Sequence, residues 1–365
     1  MKTKAKGSVA SRLIGLADLV IEAAERGKDP TINIPVRALS NVKFNEARGI
    51  IEMGANKQAR SFFNVGMAKK FMQTMLVGDA LAELQRGELT TSLREIYYRA
   101  KHTLQDSHEN TFDNQNESDP IIEDLEVALA ALREELHVRA ENAGTIVGPL
   151  VLVDDGDRVD CAKMGKGGYS VPSIVEPDYV EISKCTADFV LLVEKGTQWN
   201  RLAEDKFWKK YNCVLLTGNG QPPRGVRRLA RRLHDEKKLP VYVLVDNDPW
   251  GYYIYSVVKQ GSINLAFESQ RMAIPTAKFI GLSSLDPETY GLPRNVGIKL
   301  NEKDVSRAKE LLNYPWFQKK PWQREIRRML SSGLKYELDA LASKDFQYLT
   351  KKYLPKKLKD RDWLD

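Results

Sequence analysis

Glu194 ends the apolar run DFVLLVE, and Asp246 and Asp248 end the run LPVYVLVDND. Runs of this composition are strands, and in an open α/β sheet ligands bind in the crevice outside the carboxyl ends of the strands. Three carboxylates separated by roughly fifty residues can therefore converge on one sheet edge. An all-oxygen donor set suits Mg²⁺, which takes one or two carboxylates together with waters and phosphate oxygens. A single strand-end acid usually caps a helix or faces water. The three together, followed by Pro249, Trp250 and Gly251, favour the metal reading.

A second chemistry lies in SLREIYYRAKHTL at 92–104. A tyrosine hydroxyl is a weak nucleophile near neutral pH and needs a neighbouring cation, base or metal to act covalently. Arg94, Arg99, Lys101 and His102 surround the pair Tyr97–Tyr98. His102 follows Tyr98 by four residues, which on a continuous helix puts both on one face. Two helical tyrosines are ordinarily core and rim residues; an acid set able to bind Mg²⁺ elsewhere in the chain is what gives this pair its interest.

In PPRGVRRLARRLHDEKK, Arg224, Arg227, Arg228, Arg231 and Arg232 recur at helical spacing along one face. Unless acids on a neighbouring element neutralise them, such a face suits a phosphate backbone; a solvated outer face is the equal alternative. The Gly-rich MGKGGYS at 164–170 is either a tight turn or an approach to DNA through Lys166. It lacks the strand-to-helix setting and the Ser/Thr of a P-loop, and no such motif occurs elsewhere, so ATP hydrolysis is not expected of this chain. Asp154, Asp155 and Asp157 read as a turn. His102, His108, His137 and His234 lack metal spacing, and Cys161, Cys185 and Cys213 form neither a disulfide framework nor a C-x-x-C pair.

The elements that must position these groups fall into two parts. Residues 8–26 predict an amphipathic helix with Leu13, Leu16, Leu19, Val20 and Ala23 on its stripe, and the strand-like INIPVRAL follows. Helices are expected over 65–86 and 90–104, and a third is expected from a cap at Ser118 or Asp119, with Pro120 in its first turn and apolar residues through Leu136. Three helices with little sheet suit a helix-turn-helix unit. Past Gly144 the runs GPLVLVDD, DFVLLVEKG, NCVLLTGNG and LPVYVLVDND alternate with helical segments, the pattern of a mostly parallel sheet covered on both faces. Helix returns over 301–365.

The chain has 365 residues, enough for two or three domains, and 42% of them are hydrophobic, which excludes wholesale disorder. No apolar run approaches the roughly 20 residues of a spanning helix, so a cytoplasmic protein is expected. The net charge of +7 is uneven: +5 over 1–60, −7 over 61–148 and +6 over 319–365. That permits a polyanionic partner.

Six segments in order, LREIYY, FDNQNESDPIIEDLEV, VEKG, LLTGNGQPPRGVRRL, DNDPWG and YELDALASKDFQYLTKKYLPKKL, resemble the A subunits of archaeal type IIB DNA topoisomerases (topoisomerase VI), a family that includes the meiotic double-strand-break transesterase. The resemblance implies an α/β multidomain fold: an N-terminal extension over 1–64, a winged-helix (CAP-like) domain over 65–147 carrying the nucleophilic tyrosine, and a Toprim domain over 148–365. It implies Tyr98 as nucleophile with Tyr97 as the alternative, Arg94 as the arginine shortly before it, and Glu194, Asp246 and Asp248 as Mg²⁺ ligands. It further implies double-stranded DNA as substrate, transient breaks through 5′-phosphotyrosine links, and a GHKL-type ATPase B subunit in an A2B2 heterotetramer built on a homodimer of this chain. In that assembly the N-terminal helix would dock on the B subunit or fold back on its own domain. Two other readings stand beside this one: a Toprim nuclease or primase, in which the acids serve another nucleophile, and a noncatalytic DNA-binding subunit.

Overall fold

The computed structural model describes residues 7–365; the basic start at residues 1–6 lies outside them. In chain order, α1 (Val9–Glu25) leads through β1 (Thr31–Pro35), the hairpin β2 (Val42–Asn45) and β3 (Ile50–Met53), and β4 (Lys57–Ser61) to α2 (Val65–Gly87). Then come β5 (Thr91–Ser92), α3 (Leu93–Ala100), α4 (Gln115–Ala128) and β6 (Val138–Arg139). Two compact units result, one of the described residues up to Asn41 with Met53–Glu141, the other of Val42–Glu52 and Asn142–Asp365.

The first unit is helical around one core, in which Val77 and Leu81 of α2, Ile96 and Tyr97 of α3, and Ile121, Ile122 and Leu125 of α4 are buried together. Each helix starts on a side-chain cap: Ser8, Asn64, Ser92 and Asn114 accept N–H groups of the first turns. The third helix thus starts earlier than its sequence suggested. Asn114 Oδ1 takes the Asn116 N–H at 3.0 Å, which puts Pro120 inside the helix. It also ends at Ala128, because Ala130 turns to a φ of +48°, leaving Leu132 and Leu136 outside it.

Within the extension expected over 1–64, α1 folds back on the first unit. Leu13 of α1, 5% exposed, joins the first unit's core, and Arg12 donates to the carbonyls of Leu129 and Ala130. The β1–β4 pair buries Ile32 and Ile34 against Phe71 of α2. The β2–β3 hairpin leaves for the second unit, where the Ile51 N–H donates to Gln260 O at 3.0 Å and Phe44 lies 6.1 Å from Trp316. Sequence periodicity carries no sign of such a long-range excursion.

The second unit runs β7 (Thr145–Val147), β8 (Leu150–Asp154), β9 (Asp157–Asp160), β10 (Tyr169–Ser170), β11 (Val180–Cys185), β12 (Phe189–Val193), α5 (Gly196–Glu204), α6 (Phe207–Lys210), β13 (Cys213–Thr217), α7 (Arg224–Lys237), β14 (Val241–Leu244), α8 (Pro249–Lys259) and β15 (Lys278–Phe279). Its main sheet has the order β10-β7-β13-β12-β14-β15; β13, β12, β14 and β15 are parallel, and β7 is antiparallel to β13. Every residue of β12 and β13 is buried, as a sheet covered on both faces requires. The run GPLVLVDD, expected in this sheet, lies instead in a separate antiparallel sheet β11-β8-β9. Its β8–β9 turn carries Asp155 and Gly156 at φ of +50° and +85°, so the acids there make a turn as expected. The expected C-terminal helices are present but broken into short pieces, among them Glu302–Asn313, Lys320–Ser332 and Leu354–Asp360.

Candidate tyrosine and metal site

In α3 a reciprocal cap fixes the first turn: Ser92 Oγ accepts the Glu95 N–H at 3.2 Å, and Glu95 Oε2 accepts the Ser92 N–H at 2.8 Å. From that start the helix buries Ile96, Tyr97 and Ala100 and turns Tyr98 outward. The two tyrosines are thereby separated by environment. Tyr97 is 8% exposed, donates to Asp113 O at 3.2 Å and accepts from Lys101 Nζ at 2.9 Å. Tyr98 is 60% exposed, its ring 5.0 Å from that of Tyr97 and 6.0 Å from the Arg94 guanidinium. Arg94 and Tyr98 are i and i+4 on the exposed face. His102 does not share it: α3 stops at Ala100, and the His102 N–H donates instead to Thr111 Oγ1 at 2.9 Å.

The acids sit at the carboxyl edge of the parallel strands. Val193, the last residue of β12, pairs with Thr217 of β13 on one side and Leu244 of β14 on the other. The register therefore sets Glu194 beside the β14 end, where its N–H donates to Leu244 O at 3.0 Å and its Oε2 accepts the Asp246 N–H at 3.2 Å. Asp248 caps α8, Oδ1 taking the Gly251 N–H at 2.6 Å, with Pro249 at the first helical position. Gly251 is required there because a Cβ would stand 2.6 Å from Asp246 O. Burial, then the charges of Asp246 and Asp248, push the Glu194 carboxyl up to about 7. Burial likewise raises Asp246, to about 6, and Asp248.

The tail completes this edge. Asn247 and Tyr336 exchange backbone hydrogen bonds of 2.8 and 3.0 Å, and the Leu338 N–H donates to Asp246 Oδ1 at 2.7 Å. Lys195 Nζ lies 2.9 Å from Asp246 Oδ2, 2.8 Å from Glu337 Oε2 and 3.0 Å from Asp339 Oδ2. Burial opposes its charge, but the bonds to Glu337 and Asp246 outweigh that and raise it above the usual lysine value. A cavity of about 650 Å³ opens beside it, with Glu194, Asn219, Glu337 and Asp339 in its wall. Among the described residues no three His, Cys, Asp or Glu side chains form a ready-made metal cage. The donor chemistry fits a hard divalent cation nonetheless: three desolvated carboxylates share one edge, and a cation would relieve the burial that raises them. Sequence reasoning missed Lys195, Glu337 and Asp339 as parts of this site; only the repeated polar positions of VEKG and YELD hinted at them.

The arginine face of α7 has the neutralising acids that its sequence left open. Arg228 pairs with Glu176 at 2.7 Å, Arg224 with Glu268 at 3.4 Å, Arg231 with Asp235 and Arg232 with Glu236, both at 2.6 Å. Arg227 is 4% exposed, and burial pushes its guanidinium down to about 10 despite Glu268 nearby. The acids that would neutralise such a face are therefore present for Arg224, Arg228, Arg231 and Arg232, on neighbouring segments for the first two and on α7 itself for the last two, while Arg227 is buried. Lys166 is largely exposed, 3.8 Å from Glu204.

Three family models tile the chain. Residues 69–138 match a type IIB DNA topoisomerase model, 140–186 the all-beta domain of the DNA topoisomerase VI alpha subunit, and 189–358 the Toprim domain shared by the topoisomerase 6 A subunit and Spo11. The A subunit of type 2 DNA topoisomerase 6 from Pyrococcus horikoshii is 43% identical over 362 residues, covering 96% of this chain and 94% of the relative. That of Hyperthermus butylicus is also 43% identical, over 95% and 93%. The A3 subunit of DNA topoisomerase 6 from Oryza sativa is 36% identical over 98% and 79%. With the matched Toprim segment spanning the acid edge and the matched N-terminal segment spanning Tyr98, the chain belongs to the topoisomerase VI A-subunit family of type IIB DNA topoisomerases.

Proposed function

We propose that this chain is the DNA-cleaving and religating subunit of an ATP-dependent type IIB topoisomerase, with Tyr98 as nucleophile. The observation that carries the reading is the split environment of the tyrosine pair, Tyr97 tied into the core and Tyr98 presented to solvent under Arg94. Tyr98 Oη forms a bond to a backbone phosphorus as the P–O3′ bond breaks; the tyrosine gives up its proton and the departing O3′ gains one. The resulting 5′-phosphotyrosine keeps the ester, so reversal reseals the strand. Arg94, its guanidinium 6.0 Å from the Tyr98 ring, would neutralise phosphate charge beside the attacking oxygen. Glu194, Asp246 and Asp248 would hold Mg²⁺, which when bound would supply Lewis-acid stabilisation of a departing oxygen. The burial that raises Glu194 and Asp246 supports that role, since a cation at this edge would offset its cost.

Two strands need two tyrosines, so the working form is a homodimer of this chain, joined by a GHKL-type ATPase B subunit in an A2B2 assembly that couples strand passage to ATP. Helices α2, α3 and α4 with the short β5–β6 pair support a winged-helix domain as the carrier of Tyr98. Lys166, largely exposed, would be available for a backbone phosphate contact, its loop being otherwise a tight turn. The reading sets this work on DNA in the cytoplasm; no helix among the described residues is long and apolar enough to cross a membrane.

The test is covalent capture. The chain with its B subunit, Mg²⁺, a nonhydrolysable nucleotide and supercoiled plasmid is denatured and assayed for protein-linked DNA. Wild type forms the adduct, Tyr98→Phe forms none while still binding DNA, and Asp246→Asn loses it by about a hundredfold or more. Strand cleavage persisting in Tyr98→Phe would turn the reading to a Toprim nuclease.

A further inference from the structure

The buried acid of the metal edge already has a cation. Asp246 has a side chain only 4% exposed, and its Oδ2 faces Lys195 Nζ at 2.9 Å. On the solvent side the same ammonium is held by Glu337 and Asp339, whose side chains are 43% and 49% exposed. Gln198 Nε2 of α5 steadies Asp339 at 2.9 Å, and the backbone exchange between Asn247 and Tyr336 keeps the tail against the Asp246 loop. Lys195 is thus a compact charge with three donors, shared between one desolvated carboxylate and two solvated ones.

We propose that Lys195 is the internal counter-cation of the metal acids: its ammonium holds Asp246 Oδ2 while the divalent ion is absent and yields that oxygen when the ion binds, staying tethered through Glu337 and Asp339. This rests on the assignment of Glu194, Asp246 and Asp248 as the metal acids. A buried carboxylate left without a counter-charge is strongly unfavourable, so the metal-free edge needs such a partner to keep its shape. The exchange at Asp246 Oδ2 itself moves no proton. A doubly charged ion displaces a singly charged group from one oxygen, and the displaced group falls back on two carboxylates that already hold it. Metal affinity is then set by competition, with Lys195 weakening it and the tether acids Glu337 and Asp339 restoring it by accepting the released ammonium.

The test is Mn²⁺ binding to the metal-free full-length chain, followed by calorimetry and by the electron paramagnetic resonance of free Mn²⁺. Lys195→Gln binds Mn²⁺ about tenfold more tightly, whereas Lys195→Arg, which keeps the charge, stays within about threefold of wild type. Combining Glu337→Gln with Asp339→Asn weakens binding, and the loss is at least about threefold larger when Lys195 is present than in the Lys195→Gln background. Lys195→Gln also lowers the melting temperature of the metal-free protein and enlarges its rise on adding Mn²⁺. Should Lys195→Gln not fold, Lys195→Met serves as the uncharged background for the same comparison, and equal losses there overturn the exchange. Unchanged affinity in Lys195→Gln, or equal losses in the two backgrounds, overturns the exchange and leaves Lys195 a distant charge. Mn²⁺ binding that survives Asp246→Asn and Asp248→Asn alike removes the metal site itself, a failure distinct from that of Lys195.

Discussion

At the residue scale the tyrosine pair yields opposite expectations for two nearly identical deletions. Tyr97→Phe removes a hydroxyl bonded to Asp113 O and Lys101 Nζ, so it lowers stability by about 1 kcal/mol and leaves the covalent adduct intact, as denaturation and capture will read. The acids give a pH expectation. The folded value of Glu194, about 7, lies above its ordinary 4.5, so the folded chain binds the proton more tightly than the unfolded one. Metal-free stability therefore falls as pH rises from about 4.5 to about 7, and metal affinity rises as pH climbs from about 6 to 8, since binding expels that proton. Thermal melts of Glu194→Gln, which should flatten the first trend, check the sign. The acids themselves were legible because strand ends and residue type coincide at Glu194 and Asp246. Lys195 was not: its partners Glu337 and Asp339 lie more than 140 positions away, brought in by a tail whose path no local pattern encodes.

Among the elements, α7 shows why a charge pattern alone misleads. Helical spacing correctly grouped its arginines, but the acids that answer them, Glu176 and Glu268, come from segments on either side of it in the chain. Glu176 accepts from both Arg228 and Arg271, so Glu176→Ala is expected to destabilise the fold by about 3 kcal/mol without weakening DNA binding, as melting and a binding titration will separate. If DNA affinity falls instead while the fold holds, α7 does lie along DNA. Helix α1 was legible as an amphipathic element, though not in its destination. Leu13 packs among Val77, Leu81 and Leu84, and Leu13→Ala is expected to lower the melting point of the first unit, by about 3 kcal/mol of stability. Ile14, Leu19 and Ile21 remain exposed, so the helix both packs inward and offers an apolar face. In β8 the run LVLVD satisfied the pattern of a buried parallel strand equally well; only its pairing with β9 and β11 distinguishes it.

At the scale of the molecule, the proposed chemistry is divided: Tyr98 and Arg94 lie in the first unit and the acid edge in the second. The family and its reaction were readable from six short segments. The first unit ends at Glu141, and the chain between it and β12 feeds both the main sheet, through β7 and β10, and a separate antiparallel sheet that apolar runs do not distinguish from it. The claim on which the whole account rests is the identity of the atom that joins DNA. Adduct formed on a duplex with Mg²⁺ and the B subunit, trimmed by nuclease, digested with protease and sequenced by tandem mass spectrometry, reads that atom directly. The account predicts a phosphonucleotide mass on Tyr98 and unmodified Tyr97. The same mass on Tyr97, or cleaved DNA with no protein attached, would contradict it.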